Sequence, residues 1–456
     1  MNYHLYFFDI FKKNNKRILF KKNENIKHDI FYKDFYSNIL KISQFLIKKK
    51  YKKNIILITG KSVFFFEILI SLMILGKKVI ILNNKFKIKE LKKMKKKFNA
   101  SVINKKLIYE KEKINFIDEI IKYKQGIKKG KIILMSSGTT NKPKIIQLSF
   151  LKVLESAYNF TKILKHSSTD TILHSWPHYY MAGMFNQFIC PFINGSSIYL
   201  QKKLLPITYS SFWNDLKKNK ITIIYLNNSI INAILFYQRD IIIKKKIKTK
   251  FISTGSLVNK DISKCFEKKF KVKIKDCYGV TEVGGSITIQ SKKLQISPGI
   301  KFKVSKKKLR IESKFMFDGY YDKNFKLVNF KKKNFYPGDL VTLKRKKLNV
   351  IGRENDFLKK GGEEISLNKI EDIFMKNKDI IEVQCYPVLS KFWGEDIICK
   401  FVSKKSAKNI ENQLKKLALK YLSLIEIPCK YIKVNKIHRT ISGKKIRRII
   451  NNERFK

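Results

Sequence analysis

Apolar positions in this chain fall into short unbroken runs set between longer mixed stretches. Residues 54–60 read NIILITG, residues 77–83 read KKVIILN, and SVFFFEILISLMIL lies between them at 62–75. Short runs that are apolar throughout predict strands covered on both faces, and the longer run predicts a buried helix. That helix carries Glu67 and falls short of the roughly 20 apolar residues a membrane span needs. The same alternation continues. KELKKMKKKFNASVIN (89–104) predicts a basic helix and a strand, KIILM (131–135) a strand, and TDTILHSWP, SSIYLQ, ITIIYL and KTKFIST add short strands between helical stretches. Strand, helix and strand in succession point to an α/β fold built on a parallel or mixed sheet.

From about Lys303 the pattern changes to short alternating segments, FKVSKKKLRIESK and FYPGDLVTLKRKKLNVIG, which read as antiparallel hairpins of a β-rich subdomain. A further unit begins after Gly352-Arg353, with helices predicted in LNKIEDIFMKN and NIENQLKKLALKYL and strands in IIEVQCYPV, DIICKFVS and CKYIKVNKI. The expected organisation is a large N-terminal domain, 1–353, and a small α+β C-terminal domain, 354–456. No repeat and no Pro/Ser-rich linker marks the boundary.

Composition changes this picture less than it first suggests. The 99 basic against 35 acidic residues leave a formal charge of +64, a balance that ordinarily points to nucleic acid. Lysine, isoleucine, asparagine and phenylalanine are inflated together, however, and lysine is spread from end to end. That is the mark of codon drift rather than of a binding patch, so no specific nucleic-acid partner is expected, although nucleotides, coenzyme A or an acidic carrier protein suit the charge. Cysteines at 190, 265, 277, 385, 399 and 429 form no CxxC pair. They read as reduced core thiols of a cytoplasmic protein. The start, MNYHLYFFDIFKKNNKR, lacks the pattern of a signal peptide, and no transmembrane segment is expected.

The candidate chemistry begins where the 131–135 strand ends, in Ser136-Ser137-Gly138-Thr139-Thr140-Asn141-Lys142-Pro143-Lys144. A glycine that lets backbone amides approach, hydroxyls that donate and lysines that neutralise charge make a phosphate cradle. The spacing is not that of a Walker A loop, and alone it reads equally well as a polar turn.

In company with four later segments it resembles the adenylate-forming superfamily, which includes acyl-CoA synthetases, adenylation domains of peptide synthetases and luciferases. SSGTTNKPK resembles that family's phosphate loop, YGVTE (278–282) its adenine and magnesium motif, and PGDL (337–340) its ribose motif. GRENDFLKKGGEEISLNKIE (352–371) resembles its hinge and C-terminal motif, and ISGKK (441–445) its terminal lysine motif. The resemblance spans nearly the whole chain, in the family's order.

The resemblance implies an AMP-forming acid–thiol ligase using ATP, Mg²⁺ and coenzyme A. A carboxylate would attack the α-phosphate to give acyl-AMP and pyrophosphate, and a thiol would then take the acyl group; an acyl or peptidyl carrier protein is the alternative acceptor. Ser136, Ser137, Gly138, Thr139, Thr140 and Lys144 would grip the β and γ phosphates. Tyr278 would pack on adenine with Gly279 giving clearance, Thr281 would bond the α-phosphate, and Glu282 would hold Mg²⁺, a hard-oxygen role. Asp339 would accept from the ribose hydroxyls, Arg353 would reach ribose or phosphate, and Lys444 would neutralise charge during adenylation. The hinge falls at Asn355-Asp356. Gly361 and Gly362 would let pantetheine pass.

Acyl-pocket positions are implied at Tyr180 and Gly183, within WPHYYMAGMFN (176–186), and at Gly255 and Ser256, within STGSLV (253–258). His174 and His178 flank Trp176-Pro177, which argues against a helical metal pair. Peptide-synthetase adenylation domains carry an aspartate in the 176–186 region for an α-amino group. None occurs here, so a small-molecule carboxylic acid without an α-amino group is expected. The chain departs from the family pattern at Asn141, Ile145, Pro337, Asn355 and His438. Ile145 is the sharpest departure, because it replaces a glycine and a β-branched residue takes positive φ only at a cost. A non-catalytic nucleotide-binding relative is the rival reading.

Overall fold

A computed structural model describes residues 3–58, 60–83, 86–104, 126–136, 144–201, 209–241, 243, 247–255, 260–291, 293–344 and 347–437. Contacts divide the chain into two compact units. The first takes Met1–Ser136, Lys144–Phe302 and Ile311–Phe335; the described part of the second is 303–310 and 336–437. The Asp339–Lys344 and Lys347–Arg353 hairpin thus groups with the residues that follow it.

Two sheets organise the first unit. In one, the strands Ala100–Ile103, Asn54–Leu57, Lys78–Ile81 and Lys131–Ser136 run parallel in that order, and Lys144–Ser149, Gly319–Tyr321 and Leu327–Asn329 extend it antiparallel. In the other, Ser197–Leu200, Thr171–His174, Ile223–Leu226, Lys250–Ser253 and Ile274–Val280 are parallel neighbours, followed by the antiparallel Gly285–Gln290. The central parallel strands, Asn54–Leu57, Lys78–Ile81, Thr171–His174, Ile223–Leu226 and Lys250–Ser253, are buried nearly throughout, as their apolar runs require, whereas Ile274–Val280 buries only Ile274 and Cys277. Helix Val63–Ile74 begins at Ser62, whose side chain accepts from the Phe65 amide, and every residue from Phe65 to Ile74 is buried, Glu67 included. Among the described residues no helix is long and apolar enough to cross a membrane. The basic helix Ile88–Lys97 turns Met94 inward and its lysines to solvent.

The second unit is α+β. Strands Glu382–Ser390 and Gly394–Val402 form a long hairpin, with Lys430–Lys433 parallel to the latter strand, and helices Leu367–Phe374 and Ala407–Tyr421 share a core that includes Ile370, Phe374, Ile397, Ile410 and Leu414. Helical spacing of the apolar residues in both segments accounts for that face. Cys190, Cys277, Cys385 and Cys399 are buried, whereas Cys265 and Cys429 are exposed, so only four of the cysteines are the core thiols expected.

Candidate functional site

The Lys131–Ser136 and Lys144–Ser149 strands pair antiparallel down to a last rung between Ser136 and Lys144. The candidate phosphate loop therefore springs from the carboxyl end of a strand whose other neighbour is parallel, the edge of an α/β sheet where ligand crevices form. Ser137, Gly138, Thr139, Thr140 and Asn141 lie outside the described residues, as does the Ser136 side chain. Ile145 is extended, facing Met135 on one side and Tyr321 on the other. A β-branched residue is favoured in such a ladder. The positive-φ penalty expected there does not arise, because the position belongs to the strand and not to the turn.

YGVTE continues the Ile274–Val280 strand into a single 3-10 turn, Thr281–Val283, which Gly284 closes at φ +103°. The ladder to Gly285–Gln290 shifts register between Tyr278 and Gly279. A Cβ on Gly279 would lie 2.8 Å from the Ser286 Cα, so only glycine fits. Tyr278 is half-buried and its amide donates to Thr288 Oγ1 at 3.3 Å.

Glu282, on the turn, is held from two directions. The amide of Phe317 donates to its carbonyl at 2.9 Å, and the Tyr320 hydroxyl donates to its Oε1 at 2.8 Å. The Lys144 ammonium sits over the same tyrosine ring, 5.1 Å from the centroid. Burial, and then the neighbouring Glu282 carboxylate, push the Tyr320 phenol up, so it remains a donor. Lys144 and Glu282, 138 positions apart, thus meet on one side chain that the motif reading did not include. The only signal for it in the sequence is the glycine-aromatic run GYY at 319–321.

The 176–186 segment packs against the end of the Lys250–Ser253 strand. Gly255 has φ +87°, and a Cβ there would come within 3.2 Å of the Trp176 ring. The Trp176 amide donates to Gln187 Oε1 at 2.9 Å, which folds the segment back on its own helix. Gly183 is required by the Pro177 carbonyl, which would lie 2.2 Å from a Cβ. Tyr180, half-buried, stands at the N-terminal boundary of the short helix Met181–Met184 in an extended conformation. His174 packs edge-on to Phe66 and His178 lies 4.2 Å from the Phe65 ring. Burial holds the His174 imidazole well below its ordinary value, hence neutral. Ser256 lies outside the described residues.

In the second unit Asp339 and Arg353 face each other across the first rung of their hairpin, and Arg353 Nε donates to Asp339 Oδ1 at 3.2 Å. Gly338 precedes them at φ +82°, with its carbonyl accepting from the Glu354 amide at 2.8 Å. Of the two candidate hinge residues, Asp356 is tied down: its Oδ2 accepts from the Arg353 amide at 3.0 Å and from Asn368 Nδ2 at 3.1 Å. Gly361 and Gly362, at φ +56° and +88°, form the two-residue turn between Phe357–Lys360 and Glu363–Ser366, the geometry that demands positive φ at both positions. Lys444 lies outside the described residues.

One fixed carboxylate at Glu282 fits magnesium, which usually takes one or two protein carboxylates and completes its shell with phosphate oxygens and water. Among the described residues no cluster of three or more His, Cys, Asp or Glu could hold a metal by itself.

Known proteins resemble this chain in sequence and in fold. The model of the AMP-binding enzyme family matches residues 128–312. Oxalate–CoA ligase of Arabidopsis thaliana is 23% identical over 352 residues, 70% of this chain and 67% of that protein. Among three such CoA ligases the matched span takes in 62 to 67% of the relatives' own lengths. Two solved structures share the fold across almost the whole chain. o-Succinylbenzoate CoA synthetase of Bacillus subtilis, in complex with an acyl-adenylate intermediate, has a TM-score of 0.81 at 16% identity, covering 97% of this chain and 96% of that one. ATP-bound MatB of Rhodopseudomonas palustris has a TM-score of 0.80 at 18% identity, covering 97% of each.

Proposed function

This chain belongs to the adenylate-forming superfamily of acyl-CoA synthetases and ligases, and from that premise we propose that it activates a carboxylic acid lacking an α-amino group and passes the acyl group to coenzyme A. In the first half-reaction an acid oxygen bonds to the α-phosphorus as the bond to pyrophosphate breaks. In the second, the thiol sulfur bonds to the acyl carbon, AMP leaves and the thiol gives up its proton. Both steps are governed by positioning and charge stabilisation.

Residues 136–144 cradle the β and γ phosphates, Tyr278 and Gly279 receive the adenine, and Thr281 donates to the α-phosphate. Glu282 holds Mg²⁺, which when bound neutralises phosphate charge. Asp339 accepts from the ribose hydroxyls, Arg353 steadies that carboxylate and reaches toward the nucleotide, and Lys444 offsets the charge that develops during adenylation. The 354–456 domain turns about Asn355-Asp356 between half-reactions, bringing Gly361-Gly362 alongside the pantetheine arm. Tyr180, Gly183, Gly255 and Ser256 border the acyl group. The enzyme works in the cytoplasm; a carrier-protein phosphopantetheine is the second acceptor that its basic surface suits.

The observation that carries this reading is the fixed Glu282, set beside Lys144 at the mouth of the candidate phosphate loop. Acid-dependent ATP–pyrophosphate exchange tests it, across a panel of fatty, hydroxy, aromatic and amino acids with oxalate and o-succinylbenzoate added. Exchange with a non-amino acid, followed by AMP release on adding coenzyme A, is the expected result. ATP binding with no exchange from any acid would replace it with the non-catalytic reading.

A further inference from the structure

We propose that Tyr320 is a positioning residue of the nucleotide–metal site, its hydroxyl aiming the Glu282 carboxylate and its ring face seating the Lys144 ammonium; this rests on the functional reading above.

Several contacts fix Tyr320 itself. It pairs with Ile146 on the strand that leads away from the candidate phosphate loop. Its neighbour Gly319 can only be glycine, since a Cβ there would lie 2.1 Å from the Val328 carbonyl. Phe317 meets the Tyr320 ring edge-on at 4.8 Å, and the Phe317 amide donates to the Glu282 carbonyl at 2.9 Å. Residues 317–320 therefore grip Glu282 by its backbone and by its side chain together.

A tyrosine with a purely packing role needs only some acceptor for its hydroxyl, and a backbone carbonyl usually serves. Here the acceptor is the carboxylate assigned to Mg²⁺, at 2.8 Å, and the aromatic face is used by the lysine that closes the candidate phosphate loop. A hydrogen bond to a charged acceptor is directional, whereas attraction to a ring face depends only on the ring. The two functions are therefore separable by substitution. Tyr320→Phe removes the aim of Glu282 and keeps the seat of Lys144. Tyr320→Leu removes both.

Calorimetric titration of ATP into the full-length chain, with Mg²⁺ and with EDTA, separates them without knowledge of the acid. Tyr320→Phe is expected to leave metal-free ATP affinity unchanged while raising the Mg²⁺ concentration for half-maximal enhancement roughly three- to tenfold. Tyr320→Leu is expected to do the same and also to weaken metal-free ATP binding by roughly threefold. The proposal is overturned if Tyr320→Phe matches the wild type under both conditions, or if it loses metal-free and metal-dependent binding in equal proportion, as a packing defect does. Should Tyr320→Leu fail to fold, the isosteric phenylalanine variant still decides. A wild-type chain that binds no ATP would instead sink the nucleotide reading, whereas a binding wild type with an indifferent Tyr320→Phe sinks the positioning role alone.

Discussion

Arg353 and Asp339 close the open end of one antiparallel hairpin, Nε to Oδ1 at 3.2 Å, with the aspartate side chain only 7% exposed and the arginine 38%. A carboxylate so nearly buried must keep its acceptors in use. Arg353 meets one of its oxygens, and under the ribose role the sugar hydroxyls donate to the same carboxylate. Asp339→Ala should raise the dissociation constant for ATP about tenfold or more, the loss of bonds to a charged acceptor. Calorimetry checks this, and unaltered affinity excludes the ribose role.

Lys444 acts in only one half-reaction under this mechanism. Lys444→Ala should lower acid-dependent pyrophosphate exchange by roughly a hundredfold or more and leave the conversion of preformed acyl-AMP and coenzyme A to thioester close to wild type. Single-turnover assays of the two steps give the comparison; equal loss in both removes the assignment.

The two turn glycines differ in their surroundings. A Cβ on Gly361 would lie 2.9 Å from the Trp393 ring, while one on Gly362 would meet nothing within 4 Å. Both pay the left-handed penalty of about 1 kcal/mol, and Gly361→Ala must also displace the indole. Denaturant titration should therefore rank Gly361→Ala below Gly362→Ala in stability, with a change in tryptophan emission in the former only.

Glu67 links pH to stability. It is 5% exposed, accepts from Asn38 Nδ2 at 2.7 Å, and burial pushes its carboxyl from 4.5 up to about 7 against the opposing pull of that bond. A raised carboxyl binds its proton more tightly when folded, so this contribution is complete below about pH 4.5 and is lost as pH rises toward 7. Glu67→Gln should be more stable than wild type above pH 7 by an amount on the order of 3 kcal/mol, with the advantage shrinking as pH falls. Thermal unfolding of both proteins across pH 5–8 measures the difference, and a constant gap would exclude the linkage.

Much of the fold was legible in the chain because its causes are local. Four-residue apolar runs read as covered strands, the run at 62–75 was too long for a strand and too short for a span, and KELKKMKKKF could bury little besides Met94 and Phe98. Ile145 shows where that reading stops. Counted along the loop it stands where glycine is expected, yet backbone conformation is set by strand pairing, and the Met135 and Tyr321 partners make position 145 part of a ladder.

What the sequence determined alone was the order of the motifs, the kinds of chemical group they carry and the type of most elements, since these depend on residue identity and short spacing. Only the tertiary structure decided which groups meet. Tyr320 reaches Glu282 from 38 residues away and Lys144 from 176, Asn38 reaches into an apolar helix to meet Glu67, and Arg353 closes on Asp339 through a hairpin. Each of these contacts depends on strand order, register and burial, which no local pattern records, because hydrogen bonds and desolvation act through space and not along the chain.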